Sequence, residues 1–521
     1  MAVANCKTCD VQKGQAITKE NIEMQKEIIR QLYLSDDIPW VVGYSGGKDS
    51  TAVLQLVWIA LTELPPNERK KSVHVISTDT LVESPVVAKW VELSHERIAE
   101  AAKKADLPII PHRLLPLYHD TFWVNLLGKG YPYPRANFRW CTDRLKIYPA
   151  NNFVHTVVAA HGEVIMILGT RKAESMARAR NMEKFEKKRV REFLSPNNTM
   201  QNELVFSPLE DWIDDDVWTF LMQYKNPWGH SNRDLLTMYR GATADGECPL
   251  VMNVGTPSCG KSRFGCWVCT LVEQDKSMEA MIMNDSEKAW MTPLLEFRNE
   301  IGVDTETDRT RRDFRRMTGA LKAYKGRLVH GPYRKEVREE WLARLLKIQT
   351  DINQAGPDEF RNLELITPQE LEAIRRIWLE EKHEFDDSLP SIYEEATGKS
   401  YFDLPADGSA FRRDEWNLLE QVCNEEFEDE KLLMTMMSSL IDIERKSSDM
   451  KRRKGIRTEL EAQIVKCMYS DETDAEKYAL EKNVRRKEYG GKFDAKAEAP
   501  EDDIAEILED DINLIVTRGD I

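Results

Sequence analysis

The chain has 521 residues, of which 41% are hydrophobic, and a formal net charge of −16 at pH 7. Its length exceeds what one hydrophobic core usually fills, so we expect two or three domains. The net negative charge argues against a protein whose overall electrostatic field attracts nucleic acid. A nucleic-acid substrate would need local basic patches or a partner protein. No signal-peptide pattern opens the chain and no apolar run of about 18 residues occurs, which predicts a cytoplasmic protein without a membrane segment.

The nine cysteines favour metal ligands or reactive thiols over disulfides in such a protein. Two of them, Cys6 and Cys9, form a lone C-x-x-C unit in a polar N-terminal segment. A lone unit is a weak signal for a metal site, and mobile terminal thiols are the alternative, so we assign it no role. Apolar residues then recur at helical spacing from Asn21 to Leu34, which predicts an amphipathic helix.

A glycine-rich turn follows the first predicted strand, Trp40 to Tyr44. The chain continues into an aliphatic stretch, Ser50 to Leu61, that is too long for a strand, so the order is strand, tight turn and helix. Two adjacent glycines let backbone N–H groups approach an anion, and the helix adds its unpaired N–H groups and positive dipole end. Lys48 adds a positive charge and is expected at a solvent-facing site. The predicted polyphosphate-binding residues are Ser45, Gly46, Gly47, Lys48, Asp49, Ser50 and Thr51.

The residue order in this turn separates two types of phosphate loop. A Walker A loop does not fit, because Gly43 lies one residue too close to Gly47 and Asp49 replaces the hydroxyl that binds Mg²⁺. Ser-Gly-Gly-Lys-Asp-Ser, at 45–50, instead resembles the PP-loop signature of the ATP pyrophosphatase superfamily. That resemblance implies cleavage of ATP between the α and β phosphates, with AMP left on the substrate. A glycine turn in an unrelated α/β protein is the alternative.

We call residues 45–51 the phosphate cradle. Three further strands are predicted after this cradle, with helical segments between them. This alternation predicts a mostly parallel sheet flanked by helices, with the site at the carboxyl ends of the strands. Asp79 and Gly169 to Arg171 follow two of these strands, so we expect them beside the cradle as nucleotide-binding residues. The predicted strands are Val73 to Ser77, Leu107 to Ile110 and Val164 to Leu168, and the predicted helix is Pro85 to Ala105.

Four segments, in the same order, resemble those of phosphoadenosine-phosphosulfate reductases. The first is the PP-loop, and the others are Ser77 to Glu83, the G-x-R-x-x-E-S element at Gly169 to Ser175, and a PL-x-x-W…DVW stretch at Ser207 to Trp218. Together they span about residues 35 to 270. The resemblance implies an α/β PP-loop domain, similar to the adenine nucleotide α-hydrolases.

Cys141 occupies the place where adenylyl-sulfate reductases carry a cysteine pair followed by basic residues and proline. Thr142 stands where the second cysteine of that pair would be. Cys141 is then either a buried small hydrophobic residue or a reactive thiol whose neighbours Arg139, Arg144 and Lys146 favour the thiolate. We predict that it transfers sulfur, with service as an iron ligand as the alternative.

Four later cysteines have the spacing C-x₁₀-C-x₆-C-x₂-C. Thiolates at this spacing can converge on one centre and hold either zinc or an iron–sulfur cluster, and the spacing alone does not choose between them. Apolar neighbours, among them Phe264 and Trp267, would exclude water from the sulfurs and favour a cluster. The predicted ligands are Cys248, Cys259, Cys266 and Cys269.

Beyond about residue 300 the composition changes. A basic run from Asp308 to Arg316, with aromatic residues interleaved further on, predicts either contact with a nucleic-acid backbone or a solvated helix face. Helical patterns and acidic segments follow, and the acidic tail from Ala499 to Ile521 is a predicted docking segment for partners. The predicted helical stretches are Gln369 to Phe385, Arg413 to Arg445 and Arg457 to Glu488.

This combination of PP-loop, Cys141, cysteine quartet and long helical extension resembles the DndC family of DNA sulfur-modification proteins. The resemblance implies an ATP pyrophosphatase that uses ATP, Mg²⁺ and a 4Fe–4S cluster to activate a DNA backbone phosphate for replacement of an oxygen by sulfur. It also implies DNA, a cysteine desulfurase and other DNA sulfur-modification proteins as partners. An enzyme acting on tRNA or a small sulfur compound, and a scaffold that binds ATP as a structural ligand, are the alternatives.

In the mechanism we expect, Lys48 and Arg171 neutralise the charge on the departing pyrophosphate and Asp49 or Asp79 holds Mg²⁺. The predicted catalytic residues are Lys48, Asp49, Arg171 and Cys141. The predicted regions are an N-terminal segment at 1–20, a PP-loop domain at 21–240, a cysteine-rich cluster region at 241–300 and a largely helical C-terminal region at 301–521.

Overall fold

The computed structural model describes residues 17–135, 138–197, 202–242, 264–324, 327–401, 413–426, 430–448, 453, 455–469 and 471–489. The chain divides into two compact units. Unit 1 comprises residues 1–116, 145–267 and 275–292, and unit 2 comprises residues 117–144, 268–274 and 293–521. None of the helices within these described ranges is long and apolar enough to cross a membrane.

Unit 1 is built on a six-stranded sheet with the strand order β3-β2-β1-β4-β6-β5. Every neighbouring pair is parallel except β5 and β6, which are antiparallel. The predicted α/β class with a mostly parallel sheet is therefore confirmed. The strands are β1 Trp40–Gly43, β2 Val73–Thr78, β3 Ile109–Leu114, β4 Val164–Ile167, β5 Ser195–Pro196 and β6 Glu203–Phe206.

Helices cover both faces of this sheet, and the side chains of the strands alternate between two apolar clusters. Trp40 and Val42 of β1 join the larger cluster, whereas Val41 joins a smaller cluster with Val154 and Val157. This period of two is what a strand buried on both faces requires. The helices of unit 1 are α1 Lys19–Leu34, α2 Lys48–Thr62, α3 Pro85–Lys104, α4 Tyr148–His161, α5 Met176–Glu186, α6 Asp214–Gln223, α7 Asn232–Gly241 and α8 Lys276–Asn284.

The parallel register brings the carboxyl ends of the central strands to one edge. Gly43 lies opposite Ile76 of β2, and Val42 lies opposite Ile167 of β4. The segments that follow β1, β2 and β4 therefore leave the sheet at the same edge, as predicted from the alternation of strands and helices.

Three strands of the six-stranded sheet, β3, β5 and β6, differ from the sequence prediction. β3 begins at Ile109 and continues to Leu114, so the predicted strand starts early and ends four residues too soon. Pro111 to Arg113 break the apolar pattern, but β3 lies at the edge of the sheet, where polar side chains remain partly solvated. The sequence pattern predicts neither β5, which has only two residues, nor β6, in which Glu203 precedes an apolar run of only three residues.

Unit 2 is largely helical, as predicted for the C-terminal region. The predicted helical stretches Arg413 to Arg445 and Arg457 to Glu488 each contain two helices. A two-stranded antiparallel sheet, β7 Ala323–Tyr324 and β8 Arg327–Leu328, also belongs to this unit. Its helices are α9 Thr292–Ile301, α10 Thr305–Thr310, α11 Lys335–Ala355, α12 Pro368–Glu380, α13 Leu389–Thr397, α14 Arg413–Glu426, α15 Glu430–Ser448, α16 Ile456–Lys466 and α17 Glu472–Tyr489.

The basic run of unit 2 is not a solvated helix face, so that interpretation is wrong. α10 ends at Thr310, and most of the arginines follow it in irregular structure. Arg312 Nε lies 3.1 Å from the buried carboxylate of Asp308, and Arg316 is itself buried. The run is part of the folded unit, because its arginines donate hydrogen bonds to carboxylates and carbonyl oxygens of the same unit. Contact with nucleic acid stays a prediction.

Candidate nucleotide-binding site

The turn after β1 has the geometry that two glycines permit. Gly46 has a φ of +74°, and a Cβ atom at this position would lie 2.6 Å from Cγ2 of Val91. Its carbonyl accepts a hydrogen bond from the Trp90 indole at 3.2 Å, which ties the turn to α3. Only glycine combines this left-handed conformation with so close an approach.

The N-terminus of α2 follows the turn directly. Gly47 is its N-cap and supplies no side-chain hydrogen bond. Ser50 closes the turn, because its hydroxyl donates to the Gly47 carbonyl at 3.1 Å and accepts from the Ser45 N–H at 3.2 Å. Thr51 N–H donates to the same carbonyl at 3.0 Å as the helix begins. A glycine N-cap leaves the positive end of the helix accessible to an anion.

Tyr239 of α7 completes this wall of the cradle. Its hydroxyl accepts a hydrogen bond from the Lys48 backbone N–H at 3.2 Å, and a Cβ atom on Gly47 would lie 3.1 Å from the same hydroxyl. Trp218 and Phe264 pack edge-on against its ring, at centroid distances of 5.2 and 4.6 Å. Burial raises the pKa of Tyr239, so the hydroxyl stays neutral. No sequence pattern indicates this contact, because Tyr239 lies 191 positions after Lys48.

Four charged side chains form a network beside the turn. Lys48 Nζ lies 2.8 Å from Asp49 Oδ2 and 3.4 Å from Asp214 Oδ1. Arg171 Nε lies 2.7 Å from Asp49 Oδ1, and Nη2 of the same arginine donates to Asp214. Only 8% of Lys48 and 1% of Arg171 is exposed. The expectation of a solvent-facing Lys48 is therefore wrong, because its ammonium group turns back onto two carboxylates.

The opposite charges of this network stabilise one another in their ionised forms. Burial opposes ionisation of Lys48 and Arg171, but the adjacent carboxylates outweigh it and raise the pKa of both cations. Burial would also raise the pKa of Asp214, yet Lys48 and Arg171 lower it overall. Lys48, Arg171 and Asp214 are consequently all charged at neutral pH.

Arg171 is positioned by the segment that follows β4. A Cβ atom on Gly169 would lie 3.0 Å from the backbone carbonyl of Asp49, so only glycine lets this segment approach α2. Arg171 Nη1 donates to the carbonyl of Trp212 at 3.1 Å, and the Arg171 N–H donates to Glu174 at 3.0 Å. These contacts explain the G-x-R-x-x-E pattern: the glycine allows close approach to α2, the arginine contacts Asp49, and the glutamate accepts from the arginine backbone.

Asp79 makes its contacts at a different place on this edge. Its Oδ1 accepts from the N–H of Leu81 at 2.8 Å, and its Oδ2 accepts from Arg113 Nε at 2.8 Å. Leu81 has a φ of +62°, which marks the sharp turn after β2. Lys48, Asp49 and Arg171 thus meet in one network, whereas Asp79 pairs with Arg113 of β3.

Cys266 lies in unit 1 beside the turn after β2. The backbone around it pairs with that turn, since Trp267 N–H donates to the Val82 carbonyl at 2.9 Å. The Cys266 sulfur lies 3.4 Å from the Thr80 hydroxyl and 3.8 Å from the Glu83 carboxylate. Lys146 Nζ is 3.4 Å from the same carboxylate. A thiol, a hydroxyl, a carboxylate and an ammonium group therefore meet here.

Of the other cysteines predicted to take part in the chemistry, the structure describes Cys141 and Cys269. Cys141 lies in a short helical turn of unit 2, and the backbone carbonyl of Cys269, also in unit 2, accepts from Arg298 Nε at 3.0 Å. Across the residues that the structure describes, no group of three or more side chains is arranged to hold a metal ion. The quartet stays a prediction, because Cys248 and Cys259 lie outside those residues, as do Cys6 and Cys9.

Residues 39–230 match a protein family described as Phosphoadenosine phosphosulfate reductase domain. The matched residues include the turn after β1, Asp79, Arg171 and Asp214. This match confirms that residues 39–230 resemble the reductase domain of the PP-loop superfamily.

One curated relative is the uncharacterized protein MJ0066 of Methanocaldococcus jannaschii, which is 28% identical over 200 residues. That alignment covers 38% of this chain and 35% of the relative, so the chain spans about a third of the relative's length.

Two solved structures of FMN adenylyltransferase from Candida glabrata are also similar. A mutant form has a TM-score of 0.24 at 12% identity, covering 44% of this chain and 63% of its own. A complex with FAD and inorganic pyrophosphate has a TM-score of 0.25 at 10% identity, covering 52% and 77%.

Proposed function

We propose that the phosphoadenosine-phosphosulfate-reductase-type PP-loop domain of this chain binds ATP and cleaves it between the α and β phosphates. Pyrophosphate leaves, and AMP is transferred to an acceptor. The observation that carries the proposal is the meeting of a glycine turn, the N-terminus of α2 and two buried cations, Lys48 and Arg171, at one edge of the sheet. Backbone N–H groups and fixed cations together are the groups that bind polyphosphates.

Each part of the cradle has a role in this reaction. The backbone N–H groups of residues 45–50 bind the β and γ phosphates, and Lys48 and Arg171 stabilise the charge that develops on the departing pyrophosphate. Both cations are already held in place, so little reorganisation accompanies the chemistry. Asp49 or Asp79 is the carboxylate proposed to hold Mg²⁺, which would neutralise phosphate charge when bound.

The acceptor that we propose is a non-bridging oxygen of a DNA backbone phosphate. AMP then becomes the leaving group for a sulfur nucleophile, and sulfur replaces oxygen in the DNA backbone. The support is the resemblance to the DndC family in the PP-loop, Cys141 and the cysteine quartet. On this proposal Cys248, Cys259, Cys266 and Cys269 hold a 4Fe–4S cluster, Cys141 transfers sulfur, and a cysteine desulfurase and other DNA sulfur-modification proteins are partners.

A sulfur-labelling experiment tests the acceptor. Cells that express the chain with a cysteine desulfurase and the other modification proteins would be fed radioactive sulfur, and DNA, tRNA and small molecules would be separated. We expect label in the DNA backbone that depends on the chain. Chain-dependent label in tRNA or in a small sulfur compound would contradict the DNA assignment while leaving ATP cleavage in place.

A second measurement tests the ATP chemistry alone. Pyrophosphate release would be followed with the purified chain, its partners and DNA. Absence of release under conditions that support DNA labelling would identify the chain as a scaffold that binds ATP without cleaving it.

A further inference from the structure

Asp214 holds both cations of the cradle although it belongs to a distant part of the chain. It is the first residue of α6, and its Oδ1 lies 3.4 Å from Lys48 Nζ and accepts a hydrogen bond from Arg171 Nη2. A single carboxylate oxygen therefore contacts the two groups that the proposed function assigns to phosphate. A phosphate oxygen that bound Lys48 and Arg171 together would have to take this place.

The two carboxylates of the network are held differently. Asp49 precedes Ser50 in the first turn of α2, and its backbone lies against Gly169, so its position is fixed by the cradle itself. Asp214 approaches from the N-terminus of α6, outside the glycine turn, and its contact with Lys48 is longer, 3.4 Å compared with 2.8 Å for Asp49. Solvent reaches both side chains, since Asp214 is 22% exposed and Asp49 is 25% exposed, so the two carboxylates differ in their attachment to the turn and not in exposure. Of the two, Asp214 is the carboxylate that can leave without disturbing the turn.

We infer that Asp214 is an internal competitor of phosphate, which neutralises Lys48 and Arg171 in the ligand-free protein and is displaced from them when a polyphosphate binds. This inference rests on the proposed function, because it assumes that the cradle binds phosphate. Asp49 contacts both cations but carries only one negative charge, so two buried cations would keep an uncompensated charge without a second anion; Asp214 supplies that charge until the ligand does. The same carboxylate then favours release of pyrophosphate, since it returns to the cations as the product leaves.

Titration of pyrophosphate alone, without a divalent cation, tests the inference. Wild-type protein and the Asp214→Asn variant would be compared by calorimetry, with the same titration repeated in the presence of magnesium. We expect Asp214→Asn to bind pyrophosphate on the order of tenfold more tightly, because the binding-competent state no longer has to displace a carboxylate. Asp211→Asn is the matched control: it removes the same charge from an exposed residue that pairs with Lys172, and it should leave the affinity unchanged.

The outcomes separate the inference from the proposed function. Equal affinity of Asp214→Asn and wild type would overturn the competitor role while the phosphate cradle stands. Weaker binding by Asp214→Asn only when magnesium is present would make Asp214 a metal-binding residue and would also overturn it. Binding of neither pyrophosphate nor ATP by the wild type would overturn the proposed function itself.

A double variant keeps the test decisive if Asp214→Asn alone folds poorly. Lys48→Met with Asp214→Asn removes one charge of each sign, so the network stays balanced. The gain from Asp214→Asn should be clearly smaller in the Lys48→Met background than in the wild type, because one of the released cations is missing. A gain of the same size in both backgrounds would show that Asp214 does not act through Lys48.

Discussion

Each unit contains a cluster in which two cations are neutralised by aspartate carboxylates, two of them in unit 1 and one in unit 2. In unit 1, Asp49 and Asp214 neutralise Lys48 and Arg171, and both aspartate side chains are about one quarter exposed, 25% and 22%. In unit 2, Asp308 accepts from Arg135 at 2.6 Å, lies 3.1 Å from Arg312 and accepts from the Tyr333 hydroxyl, and its exposed fraction is 0%.

The difference in exposure of the counter-ion decides what each cluster can do. A buried carboxylate with three partners has no path by which a ligand can replace it, so the cluster of unit 2 stabilises the fold. A partly exposed carboxylate at the carboxyl edge of a parallel sheet can be exchanged for a phosphate. A basic run in a sequence therefore does not identify a binding site by itself; the accessibility of its counter-ions does.

The largest effect on stability is expected from Asp308→Ala. The substitution removes the buried carboxylate that Arg135 and Arg312 share and leaves Arg312, whose side chain is 10% exposed, without it, which typically costs about 3–5 kcal/mol of unfolding free energy. Urea unfolding measures this loss. Asp214→Asn should cost clearly less, because solvent partly screens that network.

A matched control for Asp308→Ala is Asp358→Ala, whose side chain is 87% exposed and pairs with Arg361. Its effect should stay within about 0.5 kcal/mol. If Asp308→Ala were as mild as this control, the distinction between a structural cluster and an exchangeable one would not hold.

The largest effect on activity is expected from Lys48→Met, which removes the ammonium group but keeps a side chain of similar length. Pyrophosphate release should fall about 10²–10³-fold, the usual cost of a lost contact to developing charge. Lys104→Met, at the exposed end of α3, is the control and should retain full release. Unchanged turnover of the Lys48 variant would remove this network from the reaction.

A pH-dependent loss of stability is expected in unit 1 from His230. Burial, followed by the nearby Arg97, lowers the pKa of His230 to about 4, and Ser94 lies 3.0 Å from its ring nitrogen. Because the unfolded state binds a proton near its ordinary pKa of about 6.5 and the folded state does not, stability falls as pH drops from about 6.5 to about 4. The full loss is about 3 kcal/mol.

Chemical unfolding at a series of pH values between these limits measures the effect. His230→Asn should reduce the pH dependence but not abolish it, because burial also lowers the pKa of His95 to about 4, whereas His161→Asn, at the exposed end of α4, should not reduce it. An unchanged slope in the His230 variant would mean that another group is responsible for it.

The smallest effect on ATP cleavage is expected from removal of the acidic tail after about residue 490. Terminal segments usually tolerate truncation unless they pack on the fold, so pyrophosphate release should persist while co-purification with the other modification proteins weakens. Loss of ATP cleavage on truncation would assign the tail to the nucleotide-binding part of the chain.

Much of the site architecture follows from local residue order. An apolar run, two glycines and an aliphatic stretch determined the succession of β1, turn and α2, because strand, turn and helix preferences act over a few residues. Alternation of strands and helices determined the parallel sheet, and with it the common edge for the turn after β1, Asp79 and Arg171. The bounds of the edge strand β3 and the presence of the short β6 could not be predicted in this way, because polar residues interrupt their apolar pattern.

Only the tertiary structure decided which groups meet at the cradle. Tyr239 and Asp214 come from helices remote in sequence, and neither stands in a pattern that predicts contact with Lys48. The burial of Lys48 was likewise decided by its partners, since a lysine in a glycine turn is expected in solvent until two carboxylates are placed against it. The physical reason is that local preferences depend on neighbours along the chain, whereas the charge state and exposure of a side chain depend on neighbours in space.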